Sequence, residues 1–116
     1  KQSEEERPAS TRHKIVFERF VDLVTRHHLK ERGVGFYADK LCITPKYLSK
    51  IVKETSGQSA PEWIDQYVIL EAKQMLKHSD LCIKEISDEL NFANPSFFFK
   101  YFKKHTGMTP NQYRNS

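Results

Sequence analysis

A chain of 116 residues has room for one compact domain, or for two very small ones, and its 38% hydrophobic content implies short helices around a thin core. No stretch approaches the ~20 apolar residues that span a membrane, and no segment reads as a secretory signal, so the expectation is a cytoplasmic protein. The net charge of +4 is modest but unevenly spread: residues 12–57 carry +5, residues 58–94 carry −4, and residues 95–116 carry +4 with no acid at all. Basic blocks of this kind point to a polyanionic partner.

Along the chain, "KQSEEERPAS" at residues 1–10 is polar and broken by Pro8, which reads as a linker or flexible terminus. From about Thr11, Val16, Phe17, Phe20, Val21 and Val24 recur at helical spacing, and this first helix is expected to stop near Leu29, ahead of Gly33 and Gly35. A short helix around Phe36–Cys42 follows. Thr44 before Pro45 then supplies an N-cap and a favourable first residue for a third helix, which Gly57 ends in the left-handed conformation. Ser59 and Glu62 have the spacing of a reciprocal cap and begin the longest helix, about 60–77, with Ile64, Tyr67, Val68, Ala72, Met75 and Leu76 on its apolar side. A short helix from Ile83 to Leu90 leads to a sixth, opened by Asn94 and Pro95 and ended by Gly107. Thr109, Pro110 and Gln112 repeat the capping pattern for a last short helix. Nothing reads as a strand pair, so the fold class is all-α with about seven helices.

A shift of fifty residues aligns the two halves: Pro45 with Pro95, Leu48 with Phe98, Lys50 with Lys100, Val52 with Phe102, Lys53 with Lys103, and Gly57 with Gly107. Upstream the offset is forty-nine, pairing Ala38 with Ser87 and Leu41 with Leu90, so the second turn holds one extra residue. Each half is thus a short helix, a tight turn and a capped second helix, which is the helix-turn-helix arrangement. At 100° per residue, Leu48, Ile51 and Val52 face inward in the first copy, and Phe98, Tyr101 and Phe102 in the second. Lys46, Ser49, Lys50 and Lys53 point outward, as do Ser96, Lys100, Lys103 and Lys104, while Phe97 and Phe99 flank the apolar face. A lysine-and-hydroxyl face on one amphipathic helix is most often only solvated. Two matching copies, each behind a short helix and a tight turn, favour nucleic acid.

The segment "IKEISDELNFANPSFFFKYFKKHTGMTPNQYR", residues 83–114, resembles the C-terminal signature of the AraC/XylS family of bacterial transcription regulators. Matching positions include Ile86, Leu90, Phe92, Ser96, Phe98, Phe102, Lys103, Gly107, Thr109, Pro110, Tyr113 and Arg114, and the resemblance extends over roughly residues 12–116. Asn91 and Cys42 stand where the family often has glycine, and Lys100 replaces a frequent arginine with a single ammonium. The resemblance implies two helix-turn-helix units, about 34–57 and 82–107, joined by a rigid linker helix at about 60–77. It implies sequence-specific binding of double-stranded DNA, with the helices at about 45–56 and 95–106 in successive major grooves, at half-sites that need not be palindromic. The residues suited to base edges are then Lys46, Tyr47, Ser49, Lys50, Ser96, Phe97, Phe99 and Lys100. Lys53, Lys103, Lys104, Arg114 and the backbone amides at the helix starts suit phosphates. RNA polymerase is the implied partner of the intact regulator, and a sensor or dimerisation domain would precede residue 1. For Phe99 two readings stand: cover for a thymine methyl, or partial burial against the preceding short helix.

Other chemistries find little support. The five histidines show no metal-ligand spacing and read as surface or phosphate-contacting residues, and the four glycines build no phosphate-cradling loop. No nucleophile set can be assembled, so neither an enzyme nor a cofactor is expected. Cys42 and Cys82 read as two reduced, buried thiols, with a disulfide between them as the alternative. The alternative function is a helical protein-interaction module whose basic faces bind acidic partner surfaces.

Overall fold

The computed structural model describes residues 9–116, which form α1 (Ala9–His27), α2 (Val34–Lys40), α3 (Pro45–Ser56), α4 (Ala60–His78), α5 (Ile83–Glu89), α6 (Pro95–Thr106) and α7 (Pro110–Arg114), with no strand among them. The linker expected over residues 1–10 falls outside the described residues as far as residue 8, while Ala9 and Ser10 already belong to α1. The chain divides into two units within α4, the first ending at Ile64 and the second running Asp65–Ser116.

In the first unit, α1 packs on both α2 and α3. Phe20, Val24, Tyr37, Ala38, Leu48, Ile51, Val52, Ala60 and Ile64 are fully buried. Burying one such large side chain is worth roughly 1.5–3 kcal/mol. Edge-to-face rings order this core: Phe20 meets Tyr37 at 5.6 Å, and Phe17 meets Trp63 at 5.4 Å. In the second unit Phe98 and Phe102 are fully buried, and rings connect from Phe92 to Phe98 (5.3 Å), to Phe102 (6.0 Å) and on to Tyr113 (5.7 Å). The aromatic run in α6 therefore divides: Phe98 and Phe102 lie in the core, Tyr101, expected to face inward, is only half-buried, and Phe97 and Phe99 are left exposed.

The helix ends repeat along with the cores. Thr44 accepts from the Tyr47 amide at 3.1 Å, and Asn94 Oδ1 accepts from the Phe97 amide at 3.0 Å. Gly57 and Gly107 end α3 and α6 at φ 81° and 79°, a conformation that costs glycine nothing. Just before each glycine a hydroxyl ties the chain reversal together. Ser56 Oγ donates to the Val52 carbonyl (2.7 Å) and accepts from Gln58 N (3.2 Å), as Thr106 Oγ1 does with Phe102 (2.8 Å) and Met108 (3.2 Å). Ser56 also receives the Trp63 indole N–H at 2.8 Å.

Reciprocal caps begin three helices. Glu62 accepts from Ser59 N (2.8 Å), Glu85 from Cys82 N (2.9 Å) and Gln112 from Thr109 N (2.9 Å). The Ser59 backbone N–H, then its hydroxyl, hold the Glu62 carboxyl below the usual carboxylate range, and the Cys82 amide does the same for Glu85.

Three expectations need correction. The second helix begins at Val34, two residues before the expected Phe36, and ends at Lys40 rather than Cys42. Gly33 serves as its extended N-cap, and Gly35 lies in the first turn, where amides lack helical partners anyway. Cys42 and Cys82 are free but exposed, not buried, because one occupies the turn after α2 and the other the N-cap of α5. His28, expected at the surface, is buried with Nδ1 2.8 Å from the Val24 carbonyl.

Candidate nucleic-acid interface

Each unit sets its second helix across a turn held by the same bonds. After α2, Cys42 adopts φ 59° and Ile43 N donates to the Ala38 carbonyl (3.0 Å); after α5, Asn91 adopts φ 61° and Phe92 N donates to the Ser87 carbonyl (3.0 Å). The left-handed residue reverses the chain, and the returning amide closes the loop on the last turn of the short helix. Four residues, 41–44, separate α2 from α3, and five, 90–94, separate α5 from α6.

On α3, Leu48, Ile51 and Val52 are fully buried, while Lys46, Tyr47, Lys50 and Lys53 are exposed and Ser49 is half-buried. On α6, Phe98 and Phe102 are fully buried, and Ser96, Phe97, Phe99, Lys100, Lys103 and Lys104 are exposed. Every residue read as a base contact therefore lies off the core, together with the lysines of its own unit. The matched aromatics Tyr47 and Phe97 are 43% and 56% exposed, far from what a hydrophobic core would leave.

Neighbours orient several of these groups. The His13 ring meets Tyr47 edge-on at 6.0 Å, with Nε2 3.5 Å from the Tyr47 hydroxyl and Nδ1 3.6 Å from Glu54. In the second unit Tyr101 donates its hydroxyl to Asp65, whose other oxygen lies 3.5 Å from His105 Nε2. The residue numbers alone gave no sign of either pairing, since both link positions more than thirty apart. Lys53 Nζ donates to the Gly57 carbonyl at 3.1 Å, at the exposed end of α3.

Arg114 is placed differently from its expected phosphate role. Its Nε donates to the Leu76 carbonyl (2.9 Å), and Nη2 reaches the Met75 and Ser79 carbonyls (3.5 and 3.4 Å). Met75 and Leu76 lie in the last turn of α4 and Ser79 directly follows it, where the helix dipole attracts a cation, so the guanidinium caps a helix. Lys73 and Lys77 lie 5.6 and 5.1 Å from the Tyr113 ring centroid, adding cation–π contacts along the same edge.

No group of three or more His, Cys, Asp or Glu among the described residues could hold a metal ion, and no described helix is long and apolar enough to cross a membrane.

Comparison with known proteins gives this arrangement its family. A family model described as a helix-turn-helix domain matches residues 37–116. The chain is 30% identical over 106 residues to YtdP of Bacillus subtilis (strain 168), an uncharacterized HTH-type transcriptional regulator, covering 91% of this chain and 14% of that protein. It is similar in structure to the C-terminal domain of AraT, a response regulator from Geobacillus stearothermophilus, with TM-score 0.81, 27% identity, and coverage of 86% of this chain and 84% of that one. The fold also matches that of the DNA-binding domain of AdpA, a global transcriptional factor solved with a target DNA (TM-score 0.76, 19% identity, 85% and 89% covered). The chain spans 14%, 21% and 37% of the lengths of three curated relatives that it matches. With most of its length under the family model and seven helices in the same fold, the chain belongs to the AraC-type family of helix-turn-helix domains.

Proposed function

We propose that the chain is the DNA-binding part of a bacterial transcription regulator and that α3 and α6 enter successive major grooves of one duplex. The observation that carries this reading is the duplicated outward face: each second helix sets lysines and a flanking aromatic opposite a fully buried side, behind the same left-handed turn. Lys46, Tyr47, Ser49 and Lys50 on α3, and Ser96, Phe97, Phe99 and Lys100 on α6, are the groups for base edges. Lys53, Lys103 and Lys104 neutralise phosphates, which set register without reading sequence. Arg114 has no part in this reading. Consecutive grooves repeat every ~34–36 Å, a spacing that other helix-turn-helix proteins meet with a symmetric dimer. Two units in one chain meet it as a monomer, on half-sites that need not be palindromic. In the intact regulator, RNA polymerase is the partner, a sensor or dimerisation domain accompanies this one, and the work is done in the cytoplasm.

Footprinting on a site selected from a random duplex pool tests the reading. Protection of two adjacent major grooves by a monomer, with steep salt dependence, is the expected result. Protection of one groove sinks the two-helix model. Affinity that ignores sequence would favour the acidic-protein reading instead.

A further inference from the structure

The first residue of α5 and the N-terminal half of α6 line a shallow, open recess of about 280 Å³, formed by Ile83, Pro95, Ser96, Phe99 and Lys100. Ile83, Pro95 and Phe99 are its apolar walls, and the Ser96 hydroxyl and the Lys100 ammonium are its polar groups. Phe99 is 39% exposed, so the ring is partly covered by its own unit yet keeps an accessible side. The ring thus shares the recess with Ile83 of α5 and still faces outward. The corresponding positions of the first unit are Val34, Pro45, Lys46, Ser49 and Lys50. There a serine replaces the phenyl ring and a lysine replaces Ser96, so the two units present chemically different surfaces at the same place.

We infer that this recess receives the 5-methyl group of a pyrimidine in the major groove, with Pro95 and Phe99 against the methyl. The inference rests on the proposed DNA-binding reading and specifies what α6 recognises. Base edges in the major groove offer hydrogen-bond donors and acceptors, and one apolar feature, the C5 methyl of thymine. The same methyl occurs on 5-methylcytosine. An apolar hollow bordered by a hydroxyl and a cation, on a lysine-bearing helix face, complements such a methyl beside an anionic backbone.

The test begins with duplexes selected from a random pool by the 116-residue chain. Each thymine of the selected site is replaced singly by deoxyuridine, and each cytosine singly by 5-methylcytosine. Affinities of wild type, Phe99→Ser and Phe99→Leu are compared at one salt concentration, with thermal melts confirming the fold. At one or two thymines, deoxyuridine should weaken wild-type binding about fourfold, the worth of one buried methyl group. Phe99→Ser should bind the two duplexes alike, and Phe99→Leu should retain part of the difference. A gain from 5-methylcytosine that Phe99→Ser loses assigns the recess to that base instead, by the same chemistry. Should Phe99→Ser fold poorly, the comparison of Phe99→Leu with wild type decides. Indifference of wild type to every methyl, or discrimination that survives in Phe99→Ser, overturns the inference and leaves the DNA-binding reading standing. A pool that yields no preferred sequence overturns both.

Discussion

Cys42 and Asn91 hold the same left-handed backbone conformation, φ 59° and 61°, at corresponding points of the two turns. Asparagine tolerates this region because its short polar side chain bonds locally, whereas a cysteine there meets the full clash of Cβ with the following carbonyl, ~1–2 kcal/mol. Glycine removes the clash and gives back part of the gain through a freer unfolded chain. Cys42→Gly should therefore stabilise the chain by roughly 0.5–1 kcal/mol. A urea midpoint that falls on this substitution would show that the thiol makes a compensating contact.

Ser87 is fully buried and its hydroxyl has no hydrogen-bond partner among the described residues. The corresponding residue of the first unit is Ala38, also fully buried, so an alanine is accommodated at the equivalent position there. A stranded buried hydroxyl costs about 1–3 kcal/mol, and removing it leaves a void of only one atom. Ser87→Ala should leave stability unchanged or raise it by up to about 1 kcal/mol. Loss of more than that in chemical denaturation would reveal a bound water or a partner absent from the free chain.

Arg114 and Lys103 separate structural from electrostatic roles among the cations of the second unit. Arg114→Ala strips the carbonyls at the end of α4 of a charged donor and should cost about 1.5–3 kcal/mol, with no change in the salt dependence of DNA binding. Lys103→Ala should leave the melting temperature in place and reduce the slope of log affinity against log salt by about one. Exchanged phenotypes would return Arg114 to the phosphate set.

Tyr37 gives the fold an alkaline limb. Its hydroxyl donates to the Glu31 carbonyl at 2.6 Å, and burial first, then the charge of Glu31, pushes its pKa up to about 12 from an ordinary 10.0. The folded chain keeps this proton where the unfolded chain releases it. The resulting stability is complete below pH 10 and disappears as the pH rises toward about 12. Melting temperatures from pH 9 to 12 should fall less steeply for Tyr37→Phe than for wild type, and parallel curves would assign the limb to other groups.

Much of this architecture could be seen in the sequence because the signals are local. Thr44 with Pro45, Asn94 with Pro95, and the glycines that end α3 and α6 act within a turn of where they stand, and the fifty-residue offset repeats them. Burial at Leu48, Ile51, Val52, Phe98 and Phe102 follows from helical spacing alone. The second helix was misplaced because Gly33 and Gly35 read as breakers, although one serves as a cap and the other sits in a first turn. The carbonyl contacts of Arg114 are hidden in the sequence for the opposite reason: a basic residue reads as solvated until the end of α4, thirty-five to thirty-nine positions away, is brought to it. For Phe99 the sequence offers contact with the preceding short helix as one of two readings, but that Ile83 forms the facing wall needs the fold.

The three reciprocal caps also fix which helices loosen first in acid. Glu62 and Glu85 hold the starts of α4 and α5 as anions, whereas Gln112 holds the start of α7 with a neutral amide. Because both carboxyls sit below the ordinary value of 4.5, the support they lend is full above that pH and is lost as the pH falls through their depressed values. Acidification should therefore fray the N-terminal turns of α4 and α5 while the start of α7 stays closed, and amide exchange at Ser59, Cys82 and Thr109 would report that order residue by residue.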